Sequence, residues 1–122
     1  MNTAKAPKAP AGLAVAGRKL WRAVTDEYDL LAHEELLLLQ ACRCADHLDR
    51  LADEATHGTV TVENFRGDQV ANPAMVEARQ QSITLSRLLA SLRLPSGEEE
   101  GEFRPQRRGA SRGTYPPRLM QR

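Results

Sequence analysis

The side chains with chemical potential are few and poorly grouped. Cys44 and His47 stand three apart, a spacing that places two donors on one helical face and could begin a metal site. No convincing second pair accompanies them, so no metal is expected. Cys44 is better read as a small core residue and His47 as part of a polar or interfacial surface. His33 and His47 lie about four turns apart on one helix and cannot share an ion. No Gly-rich phosphate loop occurs, and no Ser-His-Asp or Cys-His arrangement has supporting context. Asp46, Asp49, Asp53 and Glu54 read as a solvated helix face rather than as an acid–base pair. These residues point away from an enzyme, and no catalytic residue or cofactor is assigned.

Charge is more informative. The formal net charge of +1 conceals an uneven layout. Residues 1 to 25 carry Lys5, Lys8, Arg18, Lys19 and Arg22 and no acid. The last twenty residues carry Arg104, Arg107, Arg108, Arg112, Arg118 and Arg122, again without an acid. Basic ends around an acidic middle suggest polyanion contact; the competing reading is solvated, disordered tails. Phosphate contact by such residues gives salt-dependent affinity with little sequence preference.

The element that must position everything else is the stretch from His33 to His57. It has no Gly or Pro and is rich in Leu, Ala, Glu and Arg. As one helix it spans roughly 37 Å. Leu37, Ala41, Cys44, Leu48, Leu51 and Ala55 make one stripe at spacings of four and three. Leu36 to Leu39 cover a whole turn, which therefore needs neighbours on more than one side. Cys42 and Cys44 point about 200° apart on such a helix and cannot bridge each other.

Before it, residues 1 to 12 read as a flexible basic arm of Ala, Lys, Pro and Gly. Helix one is expected from Leu13 or Gly17 to Tyr28, with Leu20, Trp21, Val24 and Tyr28 on one face and Trp21 anchoring it on helix two. Arg18, Lys19 and Arg22 fall mostly off that face. Asp29 to Ala32 is a turn. Gly58 suits a left-handed C-cap. Thr59 to Val62 is β-branched throughout, and with Gln69-Val70 it predicts a short β-hairpin or extended loop. The Arg66-Gly67-Asp68 triplet reads as a turn rather than an adhesion motif. Asn72-Pro73 starts helix three as N-cap and first helical residue. That helix runs to about Leu94 with Met75, Ala78, Ser82, Leu85, Leu89 and Leu92 as its stripe. Residues 96 to 122, acidic and then rich in Arg and Gly, are expected to be disordered.

The expected fold is therefore all-α, with residues 13 to 95 forming a three-helix core. A long antiparallel helix pair is joined by the hairpin or loop, between disordered basic tails. Trp21, Leu37, Leu48, Leu51, Leu85, Leu89 and Leu92 are the expected core and oligomer contacts. A core of roughly 80 residues is marginal alone, which favours self-association. No run approaches the ~20 apolar residues of a membrane span. The N-terminus lacks the apolar region of a signal peptide, and the cysteines fit a soluble protein of a reducing compartment.

The order of landmarks resembles the small terminase subunit of tailed bacteriophages, in particular the P27 family. The pieces are Gly17-Arg18-Lys19-Leu20-Trp21, Asp26-Glu27-Tyr28-Asp29-Leu30, the helix L-L-L-Q-A-C-R-C-A-D, G-T-V-T-V, Asn72-Pro73, and Ser86 to Pro95. They cover residues 17 to 95. Members often carry Gly before the final Leu-Pro, where this chain has Arg93. The resemblance implies a non-catalytic genome-packaging role in the cytoplasm of a bacterial host. It implies assembly into rings through helices two and three, recognition of viral double-stranded DNA, and recruitment and regulation of the large terminase subunit, which supplies ATPase and nuclease. By that implication Lys5, Lys8, Arg18, Lys19 and Arg22 are DNA-contact candidates. Arg104, Arg107, Arg108 and Arg112 are candidates for the large subunit or DNA. The alternatives are a small helical DNA-binding regulator, repressor or antitoxin, and a protein-only scaffold.

Overall fold

The computed structural model describes residues 5–95 and 104–109. Three helices dominate: α1 (Val15–Thr25), α2 (Ala32–His57) and α3 (Pro73–Leu92). Four short strands accompany them: β1 (Tyr28–Asp29), β2 (Thr61–Glu63), β3 (Gln69–Ala71) and β4 (Gln106–Arg107). The fold is mainly helical, with two small antiparallel sheets, β1–β4 and β2–β3.

Helix α2 begins where expected. Glu34 reaches back to accept the Leu31 N–H at 2.6 Å, satisfying one of the donors that a helix start exposes. Its other end differs from expectation. Gly58 is not left-handed but extended, with φ −108° and ψ −178°. A Cβ there would meet Asn72 Nδ2 at 2.9 Å and the Glu54 carbonyl at 3.1 Å. Glycine is needed for that close approach, because the Asn72 amide donates to the Thr59 carbonyl at 2.8 Å.

The hairpin is present, with Val62 opposite Val70. Its turn is built by Asn64, whose side chain accepts the N–H groups of Arg66 and Asp68, both at 2.9 Å. Gly67 takes φ +85°, so the glycine of Arg66-Gly67-Asp68 serves the turn. Asn72 caps α3 by accepting the Ala74 N–H at 2.9 Å. At the far end of α3, Arg93 adopts φ 54° and ψ 41°, the left-handed position usually given to glycine.

Helices α2 and α3 pack antiparallel across the hairpin. The core gathers at one end of this pair, where Leu13, Trp21, Val24, Tyr28, Leu38, Cys42 and Leu92 meet. Only there does α1 add a third layer. Leu37 and Leu89 pack partly buried against that core, whereas Leu48, Leu51 and Leu85 stay half-buried outside it. The hairpin end is thus a two-helix arm, with Val60, Phe65, Val70, Val76 and Ile83 exposed.

Helix α1 is shorter than expected. It ends at Thr25 because Tyr28 is drawn into the core, where its hydroxyl donates to the Pro95 carbonyl at 3.1 Å. Tyr28 and Asp29 extend instead and pair with Arg107 and Gln106. That second sheet was not anticipated, and it places part of the expected disordered tail in an ordered contact. The remaining tail residues, Arg112 among them, lie outside the described residues.

Candidate nucleic-acid interface

Helix α1 supplies no cap of its own, since Ala14 stands at its N-cap without a side-chain acceptor. The acceptor comes from α2. Asp46 is buried, and its carboxylate accepts the Ala14 N–H through Oδ2 and the Gly17 N–H through Oδ1, each at 2.7 Å. A carboxylate at that end also complements the helix dipole. The solvated role expected of Asp46 is therefore wrong: the approach of another helix terminus takes it out of water. Gly17 makes the approach fit, because a Cβ there would lie 2.5 Å from Asp46 Oδ2 and 2.9 Å from the Cys42 carbonyl.

One turn further along α1, Trp21 is 3% exposed. Its indole N–H donates to the Pro7 carbonyl at 3.0 Å. Residues 7–14 thus run back alongside the first half of α1, and Ala9 packs on the core. The buried Trp21 anchors α1 and is unavailable for stacking on a partner.

With Gly17, Trp21, Val24 and Thr25 buried, the opposite face of α1 is set. Lys19 and Arg22 are exposed on it, and Arg18 is exposed at its edge. Arg18 and Arg22 are neighbours four apart, with Lys19 beside them. Arg18 also donates through Nη1 to the Leu13 carbonyl at 2.5 Å, which holds its guanidinium over the start of the helix. None of the three forms an ion pair among the described residues. Lys5 and Lys8 are exposed on the preceding segment.

The C-terminal arginines are placed differently. Arg104 is half-buried. Arg107 lies 3.7 Å from the Glu27 carboxylate, and its guanidinium is 5.9 Å from the Tyr28 ring centre. Arg108 is mostly buried and pairs with Asp29 at 3.1 Å. The structure therefore brings together Arg18, Lys19 and Arg22, and sets Arg107 and Arg108 on the turn after α1.

A groove beside the start of α1 is lined by Arg43, His47 and Arg50, with Asp46 and Asp49. Its two guanidiniums face two carboxylates, so it has no clear excess of positive charge for phosphate. Among the described residues no group of three His, Cys, Asp or Glu could hold a metal ion. Burial, and then the Asp46 carboxylate, push the Cys42 thiol up to about 11; burial raises Cys44 as well. Both thiols are thus poor nucleophiles at neutral pH. No helix among the described residues is long and apolar enough to cross a membrane.

Asp46 and the Tyr28–Asp29 edge are the positions that sequence reasoning missed. Gly17 inside an otherwise helical stretch was the available signal for the first, since a helix-interior glycine often marks a close approach. The second had no local signal, because its partner strand lies far along the chain. Comparison with protein-family models found no match, and comparisons with curated proteins and with solved structures found none either.

Proposed function

We propose that the chain is a non-catalytic DNA-binding adaptor of the small-terminase kind, acting in viral genome packaging in the cytoplasm of a bacterial host. The observation that carries the reading is the face of α1. Three cations project from a helix fixed on its other side by Asp46 and Trp21. A rigid element bearing exposed cations that form no ion pair among the described residues suits phosphate contact, because little backbone order must be added on binding.

The two-helix arm supplies the second half of the proposal. Among the described residues its Leu48, Leu51 and Leu85 have no third layer, and further apolar groups on α3 and the hairpin are exposed. Such surface suits self-association, in a ring of copies that would present several α1 faces to one duplex and recruit the large terminase subunit.

The test is duplex-DNA binding at low salt by the whole chain and by a variant with Ala at positions 18, 19 and 22. Binding by the first and its loss in a folded second supports the reading. Undiminished binding by the variant overturns the contact face, and no binding by either overturns the DNA role. The exposed apolar arm favours one second reading, a protein-only scaffold, which predicts that last outcome together with a partner retained after removal of both basic segments.

A further inference from the structure

The turn between α1 and α2 is built as a receptor for one arginine. Arg108 donates through Nε to the Thr25 carbonyl at 2.5 Å and through Nη2 to the Tyr28 carbonyl at 3.3 Å. Its Nη1 meets Asp29 Oδ1 at 3.1 Å. Its backbone N–H donates to the Glu27 carbonyl at 2.5 Å. Three guanidinium nitrogens thus find three acceptors, an arrangement that the planar fork of arginine fills and the point charge of lysine does not. Thr25 is the last residue of α1, where the helix dipole also favours a cation. Arg107 adds its contacts to Glu27 and Tyr28.

The backbone support for this contact is slight. β1 and β4 have two residues each, and an isolated two-stranded pairing is marginal in water. Pro105 is buried beside the pairing, and charged and charge-assisted contacts add to the holding; a phosphate group can compete for those because it offers anionic oxygens to the same guanidiniums.

The geometry points to a reversible latch. Residues 106–108 dock on Tyr28–Asp29 in the chain alone, and Arg107 and Arg108 transfer to phosphates when nucleic acid binds the basic face of α1. The inference rests on the proposed DNA role for its second half only. The latch itself stands or falls without DNA.

Limited trypsin digestion of the full chain, with cleavage after residues 107 and 108 read by mass, tests the latch. Asp29→Asn removes the anionic acceptor. Arg108→Lys keeps the positive charge and the cleavage site but loses the fork. Each is expected to speed cleavage about tenfold, since losing a hydrogen bond to a charged group raises the open population by that order. Unchanged cleavage in both variants overturns the latch, whatever the DNA result.

Duplex-DNA titrations then test the transfer. Opening the latch beforehand should tighten binding by both variants at low salt, by up to about the same tenfold, and leave the slope of log affinity against log salt that of the parent, because the same two side chains reach phosphates in every complex. Faster cleavage with unaltered DNA binding overturns the transfer. No DNA binding by any form refutes the proposed DNA role, and the digestion result remains interpretable.

Discussion

Asp46 caps a helix to which it does not belong: its Oδ1 accepts the Gly17 N–H at 2.7 Å while Oδ2 takes that of Ala14. The pair fixes the start of α1 on the middle of α2, and so fixes where Arg18, Lys19 and Arg22 project. Asp46→Ala leaves two N–H groups without their acceptor in a largely buried place. The expected loss is about 2–4 kcal/mol, from the cost of two orphaned donors. Asp46→Asn keeps one acceptor and should lose about half of that. Urea denaturation checks both, and an unchanged midpoint for Asp46→Ala would show that the cap does not hold α1.

Gly17→Ala sets two effects against each other. Alanine favours a helix over glycine by about 1 kcal/mol. The added Cβ, however, meets a carboxylate oxygen at 2.5 Å and the Cys42 backbone carbonyl at 2.9 Å. The carbonyl belongs to α2 and cannot swing aside, so overpacking of about 1–3 kcal/mol should win. The variant is expected to melt at lower temperature than the parent; a higher melting temperature would mean that α1 and α2 part easily at this point.

The helices were legible because their causes are local. The stripe from Leu37 to Ala55 and the Asn72-Pro73 start carry their own signals, and α2 and α3 begin within a residue of expectation. Asp46 was not legible. An aspartate among polar helix residues looks solvated until another helix terminus is brought to it, and that event is tertiary. Gly58 misled for a related reason: its position after a helix suggested a left-handed cap, whereas contact with Asn72 is what excludes a side chain. Tyr28 fitted the periodicity of α1, but its bond to Pro95 and its pairing with Arg107 pull it out of the helix. The cations of α1 were readable as a cluster; the rigidity of their support was not.

Arg93 is the chain's one non-glycine residue with positive φ among those described. A left-handed conformation costs an L-residue roughly 1–2 kcal/mol. Arg93→Gly should therefore stabilise the fold by about 1 kcal/mol, less the extra entropy that glycine brings to the unfolded chain. Chemical denaturation decides it, and a destabilised variant would show that the arginine side chain contributes more than its backbone costs.

Cys42 gives the fold a dependence on alkaline pH. Its thiol is raised from 9.0 to about 11 in the folded chain. Below pH 9 it is protonated in both states and adds no slope. Between about 9 and 11 only the unfolded thiol ionises, so the unfolded state holds fewer protons and stability falls as pH rises. Cys42→Ala should flatten that part of the stability curve relative to the parent, measured by denaturation at stepped pH. An identical alkaline decline in the variant would assign it to other groups.

The most direct test of the central claim, that the α1 cations face phosphates, is the salt dependence of duplex-DNA affinity measured by fluorescence anisotropy. Each phosphate neutralised contributes about 0.9 to the slope of log affinity against log salt. Alanine at positions 18, 19 and 22 should therefore make the slope shallower by about 2.7 per bound copy. Parallel lines for parent and variant would contradict the account and place the DNA contact, if any, elsewhere on the chain.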